Sequence, residues 1–174
     1  VMAEYQLPRP DAAFCVSMML FGWAAGAPTA GWMSDRIKRR KSPFACASNV
    51  QIALLGVLVL GTGFQFSLLT VIMFAIGMAG SGMVISFALA REVTHPAIHG
   101  SVSGIVNALT VASGAILQPV IGVLLDWQWD GTIIDGARAY APEQFRFAFW
   151  SLLAWTATGA ILATRLRETH CMAL

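Results

Sequence analysis

The sequence is poor in charge. Of its 174 residues only 11% are Asp, Glu, Lys or Arg, and 57% are apolar, with a mean hydropathy of +0.68. A soluble domain carries about 25% charged residues. Residues 12–34, 42–90, 100–125 and 147–164 contain no charged side chain at all, and together they make up about two-thirds of the chain. A water-soluble globule of this size has too little interior to hide them. That shortage excludes a soluble enzyme, a nucleic-acid binder and a disordered tail, and leaves a polytopic membrane protein or a piece of one.

Other absences narrow the chemistry. The only histidines, His95, His99 and His170, all fall outside the uncharged tracts. An intramembrane serine protease needs a buried Ser–His pair, so Ala79-Gly80-Ser81-Gly82 has no partner base within this chain. No buried pair of aspartates exists either. His95 and His99 are four residues apart but separated by Pro96, with no third ligand evident, which predicts solvated loop histidines and no metal site. Three cysteines at different depths predict no disulfide framework. No cofactor is expected.

The uncharged tracts read as helices. Crossing about 30 Å of hydrocarbon takes roughly 20 apolar residues. The runs are too long, and too apolar on all sides, for the strands of about 10 alternating residues of a membrane barrel. The tract 42–90 fits two crossings, with a break at Gly61-Thr62-Gly63-Phe64-Gln65-Phe66-Ser67. The expected fold is all-α, a bundle of five transmembrane helices near 12–33, 44–62, 67–90, 100–125 and 146–165. Residues 1–11 would be an outer loop or the end of a preceding helix. The first tract lacks the basic leader of a signal peptide. Ser42-Pro43 reads as a helix cap followed by proline at the first helical position.

Five crossings put the ends on opposite sides. Segments 35–41, 91–99 and 165–174 carry eight Lys and Arg, whereas 1–11, 61–67 and 126–146 carry three. The positive-inside rule places the first set in the cytoplasm. The expectation is a multi-pass protein of the cell (inner) membrane with a cytoplasmic C-terminus. The basic cluster is then a topology signal, and no nucleic-acid partner is expected.

Helices pack closely in lipid where Gly, Ala, Ser and Thr line up. The first span has Gly22, Gly26 and Ala30, with Pro28 as a local kink; the third has Gly77, Gly80, Ser81 and Gly82. One face of the fourth carries Gly100, Ser103, Gly104, Asn107, Gly114, Gln118 and Gly122. Asn107 and Gln118 are about three turns apart and point the same way. That face is either a tight helix–helix seam or the wall of a cavity, since amides at such depth need protein or water.

The loop after the first span reads Gly31-Trp32-Met33-Ser34-Asp35-Arg36-Ile37-Lys38-Arg39-Arg40-Lys41. It resembles the signature of the major facilitator superfamily, G-x-L-[AS]-D-[RK]-x-G-[RK]-[RK]-[RK], which lies between helices 2 and 3 with a degenerate copy between helices 8 and 9. Gly31, Ser34, Asp35, Arg36, Arg39, Arg40 and Lys41 match. Lys38 stands where the signature has its second Gly, which favours the degenerate copy. The run Gly104-Ile105-Val106-Asn107-Ala108-Leu109, with Gly114-Ala115-Ile116-Leu117-Gln118-Pro119 after it, is similar to helix 11 of that family. The resemblance implies that the chain is the C-terminal half, helices 8–12 of a 12-helix fold. A first-half placement, helices 2 to 6, predicts a long linker after the last span, where the sequence has only a short basic tail.

The resemblance implies secondary transport of a small solute by alternating access, and no enzyme activity. Its partners would be the solute, membrane lipid and the N-terminal half of the same transporter. Trp23, Asn107 and Gln118 would then face the substrate cavity. Gly31, Asp35, Arg36, Arg39 and Glu92 would form a conformational latch, with Asp35 capping a helix dipole and Arg36 and Arg39 pairing with Glu92. The alternative is a non-catalytic membrane scaffold, which would tolerate Asp35→Asn. No ionisable side chain falls inside the uncharged tracts, so either the solute is neutral or its charged partners lie elsewhere.

Overall fold

The computed structural model describes residues 7–134 and 136–172. Residues 1–6 of the expected leading segment lie outside the described residues, and the first helix already begins at Arg9. The helices are α1 (Arg9–Arg36), α2 (Lys41–Leu60), α3 (Phe66–Gly80), α4 (Val84–Glu92), α5 (His99–Trp127) and α6 (Pro142–Thr164). A 3₁₀ turn, Ser81–Met83, joins α3 to α4 in one apolar span, Phe66–Glu92. Five spans therefore have the length and composition to cross a bilayer, at Arg9–Arg36, Lys41–Leu60, Phe66–Glu92, Pro96–Trp127 and Pro142–Thr164, and all five begin one to four residues earlier than the ranges expected.

The punctuation follows local chemistry. Pro8 and Pro10 open α1, where a missing N–H is harmless. Pro28 lies inside α1 without ending it, and the Thr29 hydroxyl donates to the Ala25 and Gly26 carbonyls one turn back. Gly61 ends α2, and Gly63 turns the chain at φ +67°. The 3₁₀ turn forms at Gly80-Ser81-Gly82, where two glycines weaken the α geometry. There the Ser81 hydroxyl donates to the Met78 carbonyl at 2.6 Å. Between α5 and α6 a short hairpin pairs β1 (Ile133–Ile134) with β2 (Ala137–Arg138), Ile133 opposite Arg138, and Gly136 takes φ +77°.

The tightest packing joins α1 to α3. A Cβ on Gly22 would collide with the Phe74 carbonyl, one on Gly77 with the Met19 carbonyl, and one on Gly26 with Ser81 and Met78. The hydrophobic core lies beside this seam: Cys15, Leu69, Ile72, Met73 and Ile76 are buried, with Leu54, Leu55 and Leu58 of α2 against them. From there α2 packs on α6, and α6 and α4 pack on α5. The face of α5 that carries Gly100, Gly104, Gly114 and Gly122 is open at its glycines: a Cβ at any of the four would have no neighbour within 4 Å, and near one end Ser103 accepts from Arg91 Nε at 3.0 Å. Of the two readings of that face, the tight seam is not made among the described residues.

Candidate functional site

One end of the bundle gathers the loop 37–40, the end of α4 and the segment after α6. The loop is shaped by the way α1 stops. Ile37 is its last turn, Lys38 turns into the left-handed region at φ +50°, and the Arg39 amide donates back to the Ser34 carbonyl at 3.2 Å. Lys38 thus occupies a conformation that favours glycine, at the position where the signature has one. The turn leaves Arg39 exposed and swings Arg40 inward, where it is only 8% exposed.

Arg40 is the hub. Its Nε and Nη2 both donate to Glu92 Oε1, at 2.8 and 2.6 Å, and its Nη1 donates to Asp35 Oδ1 at 2.6 Å and to Ser34 Oγ at 2.9 Å. Ser34, fully buried, donates in turn to the Arg39 carbonyl. The other Glu92 oxygen accepts from the Thr169 hydroxyl. Glu92 foremost, then Asp35, raises the Arg40 pKa, with burial opposing. The guanidinium therefore stays charged at every working pH. Charge-assisted bonds of this kind are roughly twice as strong as those between neutral groups.

The segment after α6 folds back over this hub. Glu168 accepts the backbone amides of Arg40 and Lys41, at 2.7 and 3.1 Å, and so caps the N-terminus of α2. Burial pushes the Glu168 carboxyl up, but the amides of Arg40, His170, Lys41 and Thr169 outweigh it and hold the group below the usual carboxylate range. A carboxylate at a helix N-terminus is also favoured by the helix dipole. Lys41 Nζ donates to the Thr164 carbonyl at 2.7 Å, and the Cys171 thiol lies 3.7 Å from the Ser34 carbonyl.

Several expectations need correction here. Glu92 pairs with Arg40, not with Arg36 or Arg39. Arg36 instead lies 5.3 Å over the Trp32 ring, and among the described residues Arg39 makes no ion pair. The difference arises because the left-handed turn at Lys38 selects which of three adjacent basic residues faces inward. Asp35 binds the Arg40 guanidinium; it is Glu168, not Asp35 or Ser42, that caps a helix. Gly31 has open space where a Cβ would sit, so close packing does not explain it. Ser34, Arg40, Glu168 and Thr169 are not among the latch residues that the sequence suggests. Ser34 and Arg40 lie inside the loop motif, whereas nothing local marks Glu168-Thr169.

Trp23, Asn107 and Gln118 are all exposed, and no hydrogen bond joins Trp23 to either amide among the described residues. Asn107 and Gln118 share the open face of α5. His95 accepts the Ala97 amide at the 3₁₀ turn Pro96–Ile98, and His99 lies 3.1 Å from the Thr94 carbonyl. Both histidines thus have local structural partners. At the opposite end of the bundle, Arg138 pairs with Asp126 at 2.8 Å and lies 4.5 Å over the Trp129 ring, and Tyr140 donates to the same carboxylate. That cluster ties the hairpin to the end of α5.

The family model for the Major Facilitator Superfamily matches residues 1–170. No curated protein sequence and no solved structure matches the chain.

Proposed function

Because the chain belongs to the major facilitator superfamily, whose members move small solutes across membranes, we propose that this multi-pass protein is the second-half bundle of a secondary transporter working by alternating access. The observation that carries this reading is the hub of Arg40, Glu92 and Asp35. It ties three spans together at one end, through a charged contact that must break if those helix ends are to separate. Glu168 and Thr169 strap it from the far end of the chain. In the reading proposed, this hub is the latch that holds the basic end closed, and the basic end faces the cytoplasm of the inner membrane.

The open face of α5, with Asn107 and Gln118 set among glycines, lines the solute path and meets the other half of the transporter. Trp23 of α1 completes that wall. With no charged side chain in the uncharged tracts, this half recognises its solute through amides and the indole, and any charge coupling falls to the other half.

The test is uptake into proteoliposomes of the full transporter, screened with uncharged and anionic metabolites. Glu92→Gln should lower the turnover of the accepted solute with little change in KM, because it alters cycling. Asn107→Leu should raise KM. Unaltered transport in Glu92→Gln and in Asp35→Asn would leave a scaffold as the better reading.

A further inference from the structure

Two clefts flank the 3₁₀ turn of the third span, and they differ in kind. One, of about 370 Å³, lies between α1, α2 and α3, and its walls are apolar, with Val50, Leu54 and Met78 among them. The other, of about 380 Å³, lies between α2, the α3–α4 span, α5 and α6. Into it converge Ser48, Gln51, Ser86, Thr110, Ser113 and Thr156, from four spans.

The hydroxyls have a common orientation. Ser48 donates to Phe44, Ser86 to Met83, Thr110 to Val106, Ser113 to Thr110 and Thr156 to Leu152, each to a carbonyl of its own helix at 2.6–2.9 Å. Every proton is thereby directed along the helix, and what remains for the cleft is oxygen lone pairs. Gln51 adds an amide. It makes no hydrogen bond to any described residue, and it sits against Gly80, where a Cβ would come within 3.1 Å of its Nε2. Gln51 is ten residues from the start of a 20-residue helix, about 15 Å along its axis and so near mid-membrane. An amide left without partners at that depth is unfavourable by several kcal/mol.

The lining has no carboxylate, lysine or arginine. A cation would lack a counter-charge, and an anion would find almost no donors. The matching ligand is small, uncharged and able both to donate to the hydroxyl oxygens and to accept from the amide. The volume admits on the order of ten water molecules. We propose that this cleft is a hydrated site in the core of the bundle, where water bound to Gln51 and the five hydroxyls joins α5 to α2 and the third span. Water-mediated bonds exchange readily. The helix with an open face on one side is thus held on the other by contacts that can be remade as it shifts. This site is separate from Asn107 and Gln118 and does not depend on the transport reading.

The test is hydroxyl-radical footprinting by X-ray pulses on the protein in lipid nanodiscs, which oxidises side chains that have water beside them. Met83 lines the polar cleft and Met78 the apolar one, five residues apart on the same span. Met83 should be oxidised at least about ten times faster than Met78, and Gln51→Leu should bring the two rates together. A second comparison guards against misfolding of that variant. In a background with Cys15, Cys46 and Cys171 replaced by alanine, Ser113→Cys should react with a polar methanethiosulfonate, and Ile116→Cys, 53% exposed less than one turn away and on the side of α5 opposite Asn107 and Gln118, should not. Equal rates at Met83 and Met78 in the unmodified protein, or equal reactivity of the two cysteines, would overturn the proposal.

Discussion

The α1–α3 pair and α5 are built from the same kind of sequence and end in opposite states. Both carry glycines at helical spacing. Gly22, Gly26 and Gly77 are covered so closely that a single carbon would strike backbone, while Gly100, Gly104, Gly114 and Gly122 face open space. A small-residue stripe therefore marks a surface over which a backbone can pass closely, without saying whether that backbone belongs to the same bundle. The welded pair and the Arg40 hub are the closely packed part of this molecule; in the reading proposed, only the hub must open. In the reading proposed, the open face of α5 is the part left for the other half of the transporter and the solute.

The largest effect that would break this contrast lies in the closely packed part. Arg40→Ala leaves Glu92, whose side chain is 11% exposed, without its cation, and loss of one partner of a buried pair destabilises by about 3–5 kcal/mol. Thermal unfolding in detergent, followed by size-exclusion chromatography, should show a marked fall. A variant as stable as the parent would mean that the latch adds nothing to the folded state. Gly77→Val comes next. Its side chain must push Met19 backbone away, and such overpacking is unfavourable by about 1–3 kcal/mol. The same assay should place it well below the parent.

Gly114→Ala sharpens the comparison from the other side. With nothing within 4 Å of the new carbon, the chain should gain about 1 kcal/mol from helix propensity, seen as a rise in unfolding temperature. A fall would mean that the face is covered within this bundle after all. Lys38→Gly should also stabilise, by about 1 kcal/mol, because the left-handed conformation at φ +50° is unfavourable for any residue with a Cβ. Guanidinium-free thermal melts of the pair would detect the gain, and an unchanged value would show that the turn relaxes.

The same contrast explains what the sequence made legible. Span number and approximate limits follow from runs of uncharged residues, whose burial in lipid is a property of each run alone. Asp35 and Glu92 could be placed at one end because each sits where a span meets water. Arg40 could not be separated from Arg39, since the choice depends on one backbone angle at Lys38. Glu168 and Thr169 were illegible because their partners lie over 70 residues away and nothing periodic links them. The face of α5 was legible as a face; the open space at its glycines was not, because that depends on where the four other spans stand.

The smallest effect is on the strap. The carboxyl of Glu168 is held below the usual range by four backbone amides. A group whose pKa is lowered on folding stabilises the folded form above its unfolded value, and that contribution disappears as pH falls through the folded value. Near neutral pH the protein should therefore melt slightly above its Glu168→Gln variant, and the gap should close on acidification below the usual carboxylate range. Because the group is only half-buried, screening by solvent keeps the gap small, and added salt should narrow it further. If the two proteins stay equally far apart at acid pH, the strap is held by Thr169 and Lys41, and the cap on α2 is incidental to it.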